Sequence, residues 1–122
     1  MDSSTILLID DDRDICAVWS MMLEAEGFSP FSAFDGPAGL AEAREHLPDI
    51  IICDFMMPAM DGVAVCRAIR EDERLKNAFV ILWSAARNIE ANGWADMVVE
   101  KPVDVATFLG HIKAAGMSRR KT

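Results

Sequence analysis

Ile6-Leu7-Leu8-Ile9-Asp10-Asp11-Asp12 is a run of four apolar residues that passes without a break into three acids. The pattern returns twice in related form. Ile50-Ile51-Ile52-Cys53 runs into Asp54, and Met97-Val98-Val99 passes through Glu100 to Lys101-Pro102. Apolar runs this short, separated by helix-like stretches, predict buried strands of a parallel sheet. In such sheets ligands sit beyond the carboxyl ends of the strands. Two or three carboxylates and one ammonium should therefore converge on one rim, a setting that suits a divalent cation and a phosphoryl group.

Outward from these runs, strands and helices alternate. Asp12 or a neighbour caps a helix from about Arg13 to Glu26, closed by Gly27. Its apolar residues Ile15, Val18, Trp19, Met22 and Leu23 form one core-facing stripe. Phe28 to Phe34 is a weaker strand, broken by Pro30 and so placed at an edge. Asp35-Gly36-Pro37 turns into a second helix with Leu40, Ala43 and Leu47 inward. Pro58 to Gly62 is a loop before a third helix that starts near Val63 and ends near Arg70. Phe79 to Trp83 is a fourth strand ending at Ser84, and the polar stretch from Ala85 to Gly93 has room for only a brief helix. A last helix from about Asp104 to Ala115 turns Val105, Phe108, Leu109 and Ile112 inward. This alternation predicts a doubly wound α/β domain of five parallel strands with helices on both faces.

The chain has 122 residues, 52% of them hydrophobic and 26% charged, which fits a single globular domain with a real core. The expected domain spans residues 1–122, with its core at about 5–115 and a basic tail at 116–122 that carries Arg119-Arg120-Lys121. No apolar stretch is long enough for a bilayer, and Met-Asp-Ser-Ser begins no signal segment, so a cytoplasmic location without membrane partners is expected. The net charge of −8 argues against nucleic-acid binding by this domain. Cys16, Cys53 and Cys66 form no C-x-x-C pair and read as buried thiols. His46 and His111 read as solvent-facing helix residues rather than phosphate carriers.

Carboxylates gathered on one rim repel each other, at a cost of about 4 kcal/mol for a pair ~4 Å apart at an effective dielectric near 20. Either one of them keeps a proton or a hard cation sits among them. Carboxylates, a carbonyl and water suit Mg2+. A carboxylate nucleophile could then attack a phosphoryl donor, with the cation and Lys101 neutralising charge on the transferring oxygens.

The ordered set Ile9-Asp10-Asp11, Asp54 with Met57-Pro58 and Met60-Asp61-Gly62, Ser84-Ala85, and Lys101-Pro102 closely resembles the receiver domains of response regulators, the CheY-like modules of two-component signalling. The resemblance covers the chain from Thr5 to about Ala115. It implies a flavodoxin-like strand order 2-1-3-4-5 and a phosphoacceptor role for Asp54. It implies that Asp11 binds Mg2+ directly, that Asp10 does so directly or through water, and that the backbone carbonyl of Met56 adds a ligand. Ser84 would hydrogen-bond the phosphoryl group and Lys101 would pair with it. The implied partners are a histidine kinase or histidine phosphotransfer protein as donor and a downstream protein target. Asp12 stays outside the set and suits helix capping. Met56 and Met57 are expected partly exposed beside Asp54, where they could screen it from water.

Two departures fall on one side. Receivers commonly carry Tyr or Phe three residues before the lysine, where this chain has Val98, and it contains no tyrosine. The stretch between Ser84 and Lys101 is shorter than the family norm by about one helical turn, so the fourth helix in the family's order is expected to be shortened. Trp94 in that stretch reads first as a core plug and second as an exposed anchor for a partner. Trp83 should point to the opposite face from Ser84, into the core.

The expected function is Mg2+-dependent transfer of a phosphoryl group to Asp54, with signalling through protein contacts or a role as relay or sink, since no output domain follows the last helix. The domain would catalyse only its own phosphorylation and dephosphorylation. The alternatives are an aspartate-nucleophile phosphohydrolase that uses Asp10 of Asp10-x-Asp12, and a degenerate receiver that only binds partners.

Overall fold

The computed structural model describes residues 4–58, 60–84, 93–100 and 105–120, the last stretch with side chains for 106–114. Its elements in chain order are β1 (Thr5–Ile9), α1 (Arg13–Ala25), β2 (Ser29–Ala33), α2 (Gly36–His46), β3 (Ile50–Asp54), α3 (Gly62–Glu71), β4 (Phe79–Ser84), β5 (Met97–Glu100) and α4 (Val105–Arg120). The five strands are parallel and ordered β2-β1-β3-β4-β5, as the resemblance implied. The expected shortened helix falls at 85–92 and, like Lys101-Pro102, lies outside the described residues.

Strand alternation builds two cores from one sheet. On one face Leu7, Ile9, Ile51, Cys53, Val80 and Leu82 pack under α2 and α3, which contribute Leu40, Ala43, Val65, Cys66 and Ile69. On the other, Ile6, Leu8, Ile50, Ile52, Ile81 and Trp83 meet Cys16, Trp19 and Leu23 of α1 and Phe108 and Ile112 of α4. Every residue of β3 is buried, which explains why it reads as an unbroken apolar run. Each large aliphatic side chain buried this fully contributes roughly 1.5–3 kcal/mol. β2, with Pro30 in it, lies at the sheet edge, where its partner is β1.

Aspartates start three of the helices. Asp12, Asp35 and Asp61 each accept backbone N–H bonds from the first turn of α1, α2 and α3. Gly27 follows α1 at φ +91°, the left-handed position that glycine takes without a Cβ clash.

Three expectations need correction. Val18 is 54% exposed, because α1 lies on the sheet along Cys16, Trp19 and Leu23, with Ile15 and Met22 at its margin. Leu47 does not turn inward. It caps α2 in the left-handed conformation at φ 49° and is 48% exposed. The following Pro48 disfavours right-handed helix at the residue before it, so α2 stops short of Leu47. The last helix continues past Ala115 to Arg120, which takes in residues 116–120 of the expected basic tail.

The segment entering β5 is tied down by one side chain. The Arg70 guanidinium donates to the carbonyls of Trp94, Lys76 and Ala78, each at 2.8 Å, and to Asp96 Oδ2 at 2.6 Å. Asp96 Oδ2 also accepts the Val80 N–H at 2.8 Å. Trp94 packs half-buried against the α3 side of the core, the plug rather than the exposed anchor.

Arg70→Met should lower unfolding free energy by about 1–3 kcal/mol in urea titrations, since it removes hydrogen bonds to three carbonyls and a carboxylate at once. The three thiols are buried. Burial pushes Cys66 up to about 12. A thiol raised in the folded state stabilises fully below the unfolded value near 8.5, and that contribution is lost as pH rises through the folded value. Stability should therefore fall from about pH 8.5 upward, with a shallower slope in Cys66→Ala. In native protein at pH 8 the thiols should resist Ellman's reagent, and all should react in guanidinium.

Candidate functional site

The carboxyl ends of β1 and β3 bring the acids together. β1 and β3 pair Ile9 with Cys53, so Asp10 and Asp54 leave adjacent strands at the same level. Asp10 and Asp54 are buried at 4% and 7% exposure, while Asp11 is exposed. One carboxylate oxygen from each of Asp10, Asp11 and Asp54 lies within 4.8 Å of the others. The expected cluster is thus present among the described residues.

Asp10 is held from two directions. Its Oδ1 accepts the Asp12 N–H at 2.9 Å, and its Oδ2 accepts the Trp83 indole N–H at 3.3 Å. Asp12 turns away, as expected, and its Oδ1 accepts the N–H groups of Asp14 and Ile15 at 3.0 and 3.2 Å.

The loop after β3 explains Met60-Asp61-Gly62. Gly62 donates its N–H to the Phe55 carbonyl at 2.8 Å. A Cβ at this position would stand 2.5 Å from the Asp54 carbonyl oxygen and 2.5 Å from Leu82 Cδ1. Glycine is therefore the residue that lets α3 begin hard against the backbone of Asp54. Asp61 caps that start by accepting the Ala64 N–H at 2.9 Å. Met56 is 64% exposed and Met57 half-buried, and with Phe55, Pro58 and Asp61 they line a shallow cleft.

Ser84 ends β4 at 1% exposure, one residue beyond Trp83, the register partner of Asp54. Lys101 lies outside the described residues. His46 pairs with Glu42 on α2 at 3.1 Å and takes no part in the acidic cluster. Val98 is 40% exposed, so this position carries no inward ring.

Three carboxylates offer hard oxygen donors with no nitrogen or sulfur among them. That is the donor set Mg2+ takes, at roughly 2.1 Å per ligand, with waters completing the shell. Sequence reasoning placed Trp83 in the core but missed its bond to Asp10. Alternation puts the side chains of Asp54 and Trp83 on one face, but the register that aligns them is not readable from either strand alone.

Comparison with known proteins agrees with this geometry. The model for the response regulator receiver domain matches residues 6–113. The DNA-binding dual master transcriptional regulator RpaA of Synechocystis sp. is 37% identical over 114 residues, covering 89% of this chain and 47% of that protein. The chain spans about half the length, or less, of the curated relatives it matches. Among solved structures, the signal receiver domain of a signal transduction histidine kinase from Syntrophus aciditrophicus aligns with a TM-score of 0.89 at 25% identity, covering 98% of this chain and 95% of that one. Response regulator TrrA of Thermotoga maritima, solved in complex with Mg2+-BeF, aligns at 0.84 and 27% identity over 92% of this chain and 98% of that one. With its five parallel strands in this order and its acids at their ends, the chain belongs to the receiver domain family of response regulators, the phosphoacceptor modules of two-component signalling.

Proposed function

We propose that Asp54 is the phosphoacceptor and that Asp10, Asp11, Asp54 and the Met56 carbonyl hold Mg2+. The convergence of three carboxylates at the ends of β1 and β3 carries this reading. A bound cation there supplies charge neutralisation for the transferring oxygens. The Asp54 carboxylate attacks phosphorus in line, the bond to the donor imidazole breaks, and an acyl phosphate forms on Asp54. Ser84 at the end of β4 hydrogen-bonds the new phosphoryl group, and Lys101 pairs with it. Burial of Asp54 and the methionines beside it limit the water that could hydrolyse the product.

The donor is a histidine kinase or a histidine phosphotransfer protein, and the output is a change in protein contacts as one of two surface conformations gains population. The domain turns over only its own phosphoryl group. Among the described residues no helix is long and apolar enough to cross a membrane, and a cytoplasmic setting fits the supply of kinase and Mg2+. The net charge of −8 disfavours nucleic acid as a direct partner of this domain. RpaA is named a DNA-binding regulator, and this chain covers 47% of it, so that name says nothing of this segment alone.

Incubation with a small phosphodonor and Mg2+ should add one phosphoryl group, read by mass spectrometry, and Asp54→Asn should abolish it. Phosphate found on Asp10 in the Asp54→Asn protein would instead identify a phosphohydrolase-type nucleophile. Mg2+ should raise the thermal midpoint by relieving repulsion among the acids. Asp11→Asn should raise the midpoint measured without cation and weaken the Mg2+ effect at least about tenfold in concentration.

A further inference from the structure

Trp83 occupies an unusual place between the acid cluster and the helices beneath it. Its strand partner is Asp54 on β3, yet its indole N–H reaches Asp10, which follows β1 on the far side of β3. Two strand spacings separate β4 from β1, about 10 Å. Only a side chain that is long, rigid and tipped with a donor can bridge that distance and still bond to a carboxylate. Leu, Ile, Met and Phe lack the donor, whereas the Trp indole carries an N–H on its five-membered ring.

The indole is also held in place. It stacks on Phe108 of α4 with centroids 5.0 Å apart and planes at 13°, and it meets Trp19 of α1 edge-on at 5.5 Å and 78°. Trp19 and Phe108 are themselves edge-to-face at 5.0 Å. A three-ring cluster drawn from α1, β4 and α4 thus sets where one N–H points. That N–H bonds to Oδ2 of Asp10 while the Asp12 N–H bonds to Oδ1, so both oxygens of this carboxylate are oriented before any cation arrives.

We infer that Trp83 is a positioning residue for cation binding: its indole N–H presets the Asp10 carboxylate. This rests on the reading of Asp10 as a cation ligand. Outer partners of metal-binding carboxylates fix ligand orientation and shift affinity without touching the ion. The consequence is a cation affinity that responds to a change of a single atom pair in the core.

The test is Mg2+ affinity by isothermal titration on the full chain and its variants. Trp83→Phe keeps a ring in the cluster and removes the N–H, so Mg2+ should bind about three- to tenfold more weakly. Trp19→Phe disturbs the same cluster without touching Asp10 and should leave affinity within about twofold. Equal affinity in wild type and Trp83→Phe overturns the inference while leaving the site intact. A wild type that binds no Mg2+ overturns both the inference and the cation site it rests on. Should Trp83→Phe fail to fold, the wild-type indole N–H resonances decide, assigned with Trp19→Phe and Trp94→Phe. The Trp83 signal should shift during Mg2+ titration with the midpoint of the calorimetric curve, and a signal that stays fixed overturns the inference.

Discussion

Repulsion among three carboxylates is the constraint around which this domain is arranged. Carboxylate oxygens within 4.8 Å of one another repel when ionised, most where burial thins the water around them, as at Asp10 and Asp54. A loop would relax away from such a load. The parallel sheet does not, because Asp10 and Asp54 leave strands whose neighbours are buried on both faces. The rest of the site reads as restraint on those acids. N–H groups approach Asp10 from Asp12 and Trp83, and Gly62 lets α3 abut the Asp54 backbone.

Much of this was legible in the residues, for a specific reason. Strands buried on two faces show as unbroken apolar runs, so β1, β3 and β4 announce themselves, and their last residues name the rim. The start of α1 was legible too, since the Asp12 cap acts through contacts within one turn, whereas Asp35 and Asp61 read only as turn and loop residues and the structure shows them to be caps. The family resemblance added the roles of the acids and the strand order, neither of which follows from periodicity.

What was not legible depends on distance in the chain or on competition between local rules. Val18 fits a helical stripe as well as Cys16 does, and only the docking angle of α1 on the sheet selects between them. Leu47 carries a core residue's chemistry but stands before Pro48, and the backbone preference wins. The Trp83 bond to Asp10 spans 73 positions, and the Arg70 bond to Asp96 spans 26. No local pattern encodes either one.

The Arg70 clamp has a bearing on how this chain tolerates insertions and deletions after Ser84. By holding Trp94 and Asp96 to the end of α3 and the start of β4, it fixes the far end of the connection that follows Ser84, while β4 itself fixes the near end. Closure entropy grows only with the logarithm of loop length, so removing about one turn from a tethered connection changes its cost by a few tenths of a kcal/mol. A single arginine can therefore make the length of that connection nearly neutral to stability. Selection is then free to vary it for the sake of what it meets, while the sheet and the acids at its edge stay as they are.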